Sequence, residues 1–383
     1  MSAMECYDLD SFLKISALLN YQLSAKPLNW NNITYILLEG KRLAPRDEGI
    51  LLHACEYLGK IYGRKKRDLG PFSILHPLRA TALLSHAAKE VSLLDVITCL
   101  LHDHFEDFEP LKDSHWMKLE QQFQSFLAKI SESRRKRLME HLEWLTKEPA
   151  ETYNHYIGHL LDQARNAPEV VRVKLADRLD NTFDMRIDLQ DPLKGVDFFE
   201  IVFQTMFTHI YKGYRPERVH QPTLVLNGAQ RLYQLFKNIV LMSLIRQRKA
   251  AVTDSISQGL FQTLAEASMR EAQRITLHIF GYHETSVSTL RAILKETMEY
   301  AESGGLEEVT LPQTGRRLDG LFMSVFDKSN RADRNRQLSA LYQNKTLMIE
   351  VAVSFVIIFL NFLNDAEYFV HGISSEGIRP ESR

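Results

Sequence analysis

The chain has 383 residues, enough for one or two domains, of which 45% are hydrophobic and 25% charged. That mixture excludes a collagen, a low-complexity polymer and a mostly disordered chain. With 47 basic and 48 acidic residues the formal charge is −1, so no global basic field exists to hold nucleic acid, and three scattered cysteines, Cys6, Cys55 and Cys99, fit a reducing cytoplasm rather than a disulfide framework.

The first residues carry Glu5, Asp8 and Asp10 and lack the basic-then-apolar layout of a secretory signal. From there the apolar positions recur three or four apart almost throughout, which predicts an all-α fold. Helices are expected over 48–62, 76–89, 92–105, 116–128, 132–146, 152–164 and 170–186. Gly70-Pro71 breaks the chain before His76, Pro110 ends the helix that holds His102, and Pro149 separates two more. The polar, Pro-containing stretch 214–222 is the expected boundary between an amino-terminal domain, residues 1–214, and a helical carboxy-terminal domain, residues 223–383. In the latter, helices are expected over 230–248, 255–280, 285–303, 334–343 and 346–369, with 302–315 as an irregular loop. The tail 374–383 is polar and expected to be disordered, and no β-hairpin signal stands out. Residues 351–364 carry no charge, but fourteen residues fall short of the roughly 20 that span a bilayer, so a core helix or an oligomer helix is expected there.

The densest chemistry lies at residues 100–107, LLHDHFED. On a helix Asp103, Glu106 and Asp107 share one face and repel each other unless a cation stands opposite. His102 beside Asp103 makes a mixed nitrogen and oxygen donor set suited to a divalent transition metal. His76 opens a helix after the Gly-Pro break. Asp177 sits in the apolar run VRVKLADRLDN, where a lone buried carboxylate is costly and a cation removes the cost. Asn181 falls one turn beyond it, and Arg178 follows it directly.

The order His76, His102-Asp103, Asp177 resembles the HD superfamily of metal-dependent phosphohydrolases. More specifically, it resembles the hydrolase domain of RelA/SpoT-type alarmone enzymes and their small stand-alone relatives. Arg67, Gly70 and His76-Pro77 match the family's arginine, glycine and HP pair; His102, Asp103, Glu106 and Asp107 match HDxxED; Lys174 to Asn181 matches KLADRxxN. The likeness covers about residues 48–190. It implies an HD helical bundle and His76, His102, Asp103 and Asp177 as ligands of a divalent metal, with manganese the family's usual ion. It implies Glu106 and Asp107 as the catalytic acid/base pair, and Arg67, Arg178 and Asn181 as residues toward the substrate. The implied reaction is removal of the 3′-pyrophosphate from guanosine 3′,5′-bis(diphosphate). Another phosphorylated nucleotide or small phosphoester is the runner-up, because residues 68–73 read DLGPFS where the family has SGEPY. A regulatory nucleotide-binding module acting through the carboxy-terminal half is the reading from a different class.

His104 stands where the family has an aliphatic residue. Two positions along a helix from His102, it is expected to point away from the ligands. The basic run 64–67 lies beside the expected site and is suited either to drawing in a polyphosphate or to a solvated loop. The synthetase motifs of the bifunctional alarmone enzymes, a phosphate-binding GxxxxGK[ST] loop and a GxSxG elbow do not occur. The expected partner is therefore a phosphorylated nucleotide, with neither nucleic acid nor membrane, and with self-association possible through the carboxy-terminal helices.

Overall fold

The computed structural model describes residues 7–63, 73–107, 114–185, 191–208, 226–250, 254–282, 286–311, 315–328 and 330–378. Among them the chain is all-α apart from one short ribbon. In chain order the helices are α1 (Leu9–Ser24), α2 (Trp30–Leu37), α3 (Pro45–Tyr62), α4 (Leu75–Ala87), α5 (Leu93–Leu101), α6 (His104–Asp107), α7 (Ser114–Leu127) and α8 (Glu132–Leu145). They continue as α9 (Tyr153–Gln163), α10 (Pro168–Phe183), α11 (Phe198–Phe207), α12 (Gly228–Gln247), α13 (Ser255–Tyr282), α14 (Val287–Glu302), α15 (Arg331–Gln343) and α16 (Lys345–Asn364).

Local chemistry sets the ends. Pro45 opens α3, where its missing N–H costs nothing, with Asp47 and Glu48 at the positive end of the helix dipole. Ser92 caps α5 by accepting from the Asp95 amide at 3.1 Å. Asn227 and Gln230 bond reciprocally at the start of α12 and form a capping box.

The chain divides into two compact units. The first holds 1–150, 159–183 and 250–263; the second holds 151–158, 184–249 and 264–383. The expected boundary at 214–222 lies outside the described residues. Helices α9 and α13 contribute residues to both units.

In the first unit α10 is the central element. Val170, Val171, Val173, Leu175 and Ala176 have no exposed surface, and the charged Lys174, Asp177, Arg178 and Asp180 are buried with them, so this helix is enclosed nearly all round. Helices α4, α5 and α8 pack on it. Leu51, Ala54, Leu58, Leu78, Val96, Leu100 and Leu142 belong to one buried cluster. In the second unit the core includes an aromatic cluster. Phe236 packs against Phe322 and Phe326 with ring centroids 5.1 and 5.2 Å apart, and Phe355 of α16 meets both of the latter at 5.9 Å.

Helix α16 is the one described helix long and apolar enough to cross a membrane; 67% of its apolar window is buried inside the protein. It packs on α12, α14 and α15 of the same unit.

Three expectations need correction. The helix expected over 92–105 stops at Leu101 and restarts at His104, with His102 and Asp103 in the break. The helix expected over 346–369 ends at Asn364. The described part of the tail is ordered: Ile373–Ser374 pairs with Gly377–Ile378 as an antiparallel ribbon. Val370, Ile373 and Ile378 are buried, and the Ile378 amide donates to Asp327 Oδ2 at 3.0 Å. Two-residue strands are too short to leave an alternation signal.

Candidate metal centre

Three elements of the first unit supply the candidate ligands. Helix α4 brings His76, the α5–α6 break brings His102 and Asp103, and α10 brings Asp177. His76, His102 and Asp103 offer donor atoms that all lie within 4.8 Å of one another. The two Nε2 atoms are 3.2 Å apart. His76 Nε2 is 3.3 Å from both Asp103 Oδ2 and Asp177 Oδ1. His102 Nε2 is 3.2 Å from Asp103 Oδ1 and 3.7 Å from Asp177 Oδ1.

The far sides of the rings fix their tautomers. His102 Nδ1 donates to the Cys99 carbonyl at 2.8 Å, since a carbonyl only accepts. His76 Nδ1 donates to Asp180 Oδ2 at 2.6 Å. Asp180 has no exposed surface; burial pushes its carboxyl up, but the Arg79 guanidinium and the His76 ring outweigh this and hold it below its ordinary value. Both neutral rings therefore point an unprotonated Nε2 at the other and at two carboxylates. Such a group is repulsive until a cation joins it.

The electrostatics agree. Burial would raise Asp177, but the Lys174 ammonium, 2.8 Å from its Oδ2, and the two imidazoles hold it well below its ordinary value. Burial would likewise raise Asp103, and His102 and His76 hold it down. Burial would lower His102; the Asp103 and Asp177 carboxylates raise it instead. A proton or a metal ion is what this group draws in. The donor set of two imidazoles and two carboxylates fits a divalent transition ion.

Around the centre, Glu106 accepts from the Lys147 amide at 2.6 Å. It keeps solvent contact, while desolvation raises its carboxyl against the pull of Lys174 and the Lys147 amide. Asp107 accepts from the Tyr62 hydroxyl at 2.6 Å. The two carboxylates thus bond to different elements. Asn181 donates to Asp177 Oδ1 at 2.6 Å and to the Asp177 carbonyl at 3.0 Å, so its amide steadies a ligand. Arg178 is buried on α10. Arg67 lies outside the described residues, as does the rest of the basic run. His104 packs against Tyr57 and Phe123, with centroids 5.8 and 4.5 Å away, and burial pushes its imidazole down to about 4. It is a core ring.

Sequence reading gave no role to Asp180, Arg79, Lys174 or Tyr62. The i, i+3 spacing of Lys174, Asp177 and Asp180 places them along one helix face, which is the signal available for two of them. No protein-family model and no curated protein sequence matches the chain.

Proposed function

We propose that this chain is a metal-dependent phosphohydrolase of the HD type. The first substrate we propose is guanosine 3′,5′-bis(diphosphate), cut at its 3′-pyrophosphate. The observation that carries the metal reading is the approach of two imidazole Nε2 atoms to 3.2 Å beside Asp103 and Asp177. The nucleotide part of the reading rests on the sequence resemblance.

His76, His102, Asp103 and Asp177 would hold the ion, and manganese is the ion proposed. When bound, it would lower the pKa of a water and polarise a phosphoryl oxygen. The residues of the chain supply the rest. Glu106, oriented by the Lys147 amide, is the proton acceptor, within the range of roughly 100- to 10,000-fold that a positioned base contributes. Asp107, held by Tyr62, completes the acid/base pair that positions the water, and the proton taken by Glu106 passes on to the leaving group. Lys174 neutralises one arm of Asp177 and keeps that ligand ionised in its buried setting. Arg67 would meet the substrate's phosphates.

The test is phosphate and pyrophosphate release from a panel of nucleotides and simple phosphoesters, with manganese and with chelator. Chelator-sensitive pyrophosphate release from guanosine tetraphosphate is expected. Release from a different panel member would replace the substrate and keep the mechanism. Bound metal without any turnover would turn the reading toward a binding module.

A further inference from the structure

His76 is held in place from behind, and the residues that hold it were not among those the sequence singled out. Asp180 is fully buried on α10. Both of its oxygens are engaged. Oδ1 accepts from Arg79 Nε at 2.7 Å, and Oδ2 accepts from Arg79 Nη2 at 3.1 Å and from His76 Nδ1 at 2.6 Å. Arg79 is itself 1% exposed, one turn along α4 from His76. Its Nη1 donates to Ser16 Oγ at 3.3 Å, and its guanidinium carbon lies 4.9 Å from the Phe12 ring centroid. Phe12 packs on Phe183 at the end of α10, with centroids 5.1 Å apart. Helix α1 thereby backs the arginine, the arginine forks onto the aspartate, and the aspartate bonds the histidine.

We propose that Asp180 is a positioning residue that sets the His76 tautomer, with Arg79 fixing Asp180 in turn. The ligand consequence rests on the metal reading above. An ionised carboxylate only accepts, so the His76 proton must sit on Nδ1 and Nε2 must face the centre unprotonated. A carboxylate behind a ligating imidazole also raises its basicity as a ligand. The bidentate fork allows Asp180 no rotation, because turning it would break two charge-assisted hydrogen bonds at once.

Asp180→Asn makes the argument testable. With its oxygen toward Arg79 Nε, the shorter arm, the amide gives up the Nη2 arm of the fork and turns its NH2 to His76 Nδ1, which forces the ring proton onto Nε2, against the site. The same exchange of tautomer disables a serine-protease triad when its aspartate becomes asparagine. A second variant, Arg79→Met with Asp180→Leu, removes both buried charges together and leaves neither uncompensated. In it the Asp180 acceptor for His76 Nδ1 is gone.

The experiment uses the full chain with ring-15N-labelled histidine, the His76 signals being assigned against His76→Gln. Metal-free wild type is expected to show the Nδ1–H form of His76. Both variants are expected to show the Nε2–H form, and to bind manganese about 10- to 100-fold more weakly by titration calorimetry. Retention of the Nδ1–H form in both variants would overturn the proposal. So would a lowered melting temperature with wild-type manganese affinity, the signature of a purely structural ion pair. A wild type that binds no divalent ion would remove the metal reading. The tautomer measured on the metal-free protein would still decide the role of Asp180 alone.

Discussion

His76 Nε2 and His102 Nε2 stand 3.2 Å apart with no proton to share in the neutral rings, because each ring spends its N–H on the opposite side. Two lone pairs held this close, with Asp103 and Asp177 beside them, make an arrangement whose stability requires added positive charge. The Asp103 and Asp177 carboxylates raise the pKa of His102 despite its burial, in the direction that demand requires. Metal uptake would displace any proton held there.

Glu106→Gln keeps an acceptor for the Lys147 amide and removes only the ability to take a proton. Turnover is expected to fall by about 100- to 10,000-fold with metal binding within about twofold of wild type. Single-turnover kinetics beside calorimetry separates the two. Wild-type rates would remove Glu106 from the mechanism.

Much of this architecture is readable in the sequence, and the unread part has a physical pattern. The helices α3, α4, α8, α10, α12, α13 and α14 match the apolar periodicity to within a few residues, since their apolar positions recur at helical spacing. The four candidate ligands are legible because each sits in a local motif. Arg79 and Asp180 are not, because their contact joins residues 101 positions apart and exists only once α4 lies on α10. The break at His102-Asp103 is hidden as well. It falls inside a run whose periodicity continues, and both side chains face the same centre.

Gly59 illustrates a packing constraint that helix propensity would misjudge. A Cβ there would lie 2.2 Å from Trp30 Cζ2 and 2.6 Å from Cη2, atoms of a rigid indole. Ala is the better helix former by about 1 kcal/mol. Overpacking costs about 1–3 kcal/mol. Gly59→Ala is therefore expected to be neutral to destabilising, by up to about 2 kcal/mol in urea unfolding. A clear gain in stability would show that α2 yields easily to α3.

Glu350 gives the second unit a pH dependence. It is 2% exposed on α16, with Oε1 2.7 Å from Arg317 and no hydrogen-bond partner for Oε2 among the described residues. Burial raises its carboxyl to about 7 despite Arg317. The unfolded chain releases this proton near 4.5, so between there and about 7 the folded state holds more protons. The stability this group contributes is full below about 4.5 and is lost as pH rises through about 7. Glu350→Gln removes that loss. Its gain over wild type at pH 8 is expected to exceed its gain at pH 4.5 by about 2–3 kcal/mol. Equal effects at both values would contradict the assignment.

The most direct measurement is manganese titration of metal-free wild type and Asp103→Ala by calorimetry, with circular dichroism to verify that both are folded. One ion per wild-type chain is expected, with proton release, and at least about a hundredfold weaker binding in the variant. Wild-type affinity in folded Asp103→Ala, or no binding to the wild type, would contradict a metal centre at His76, His102, Asp103 and Asp177.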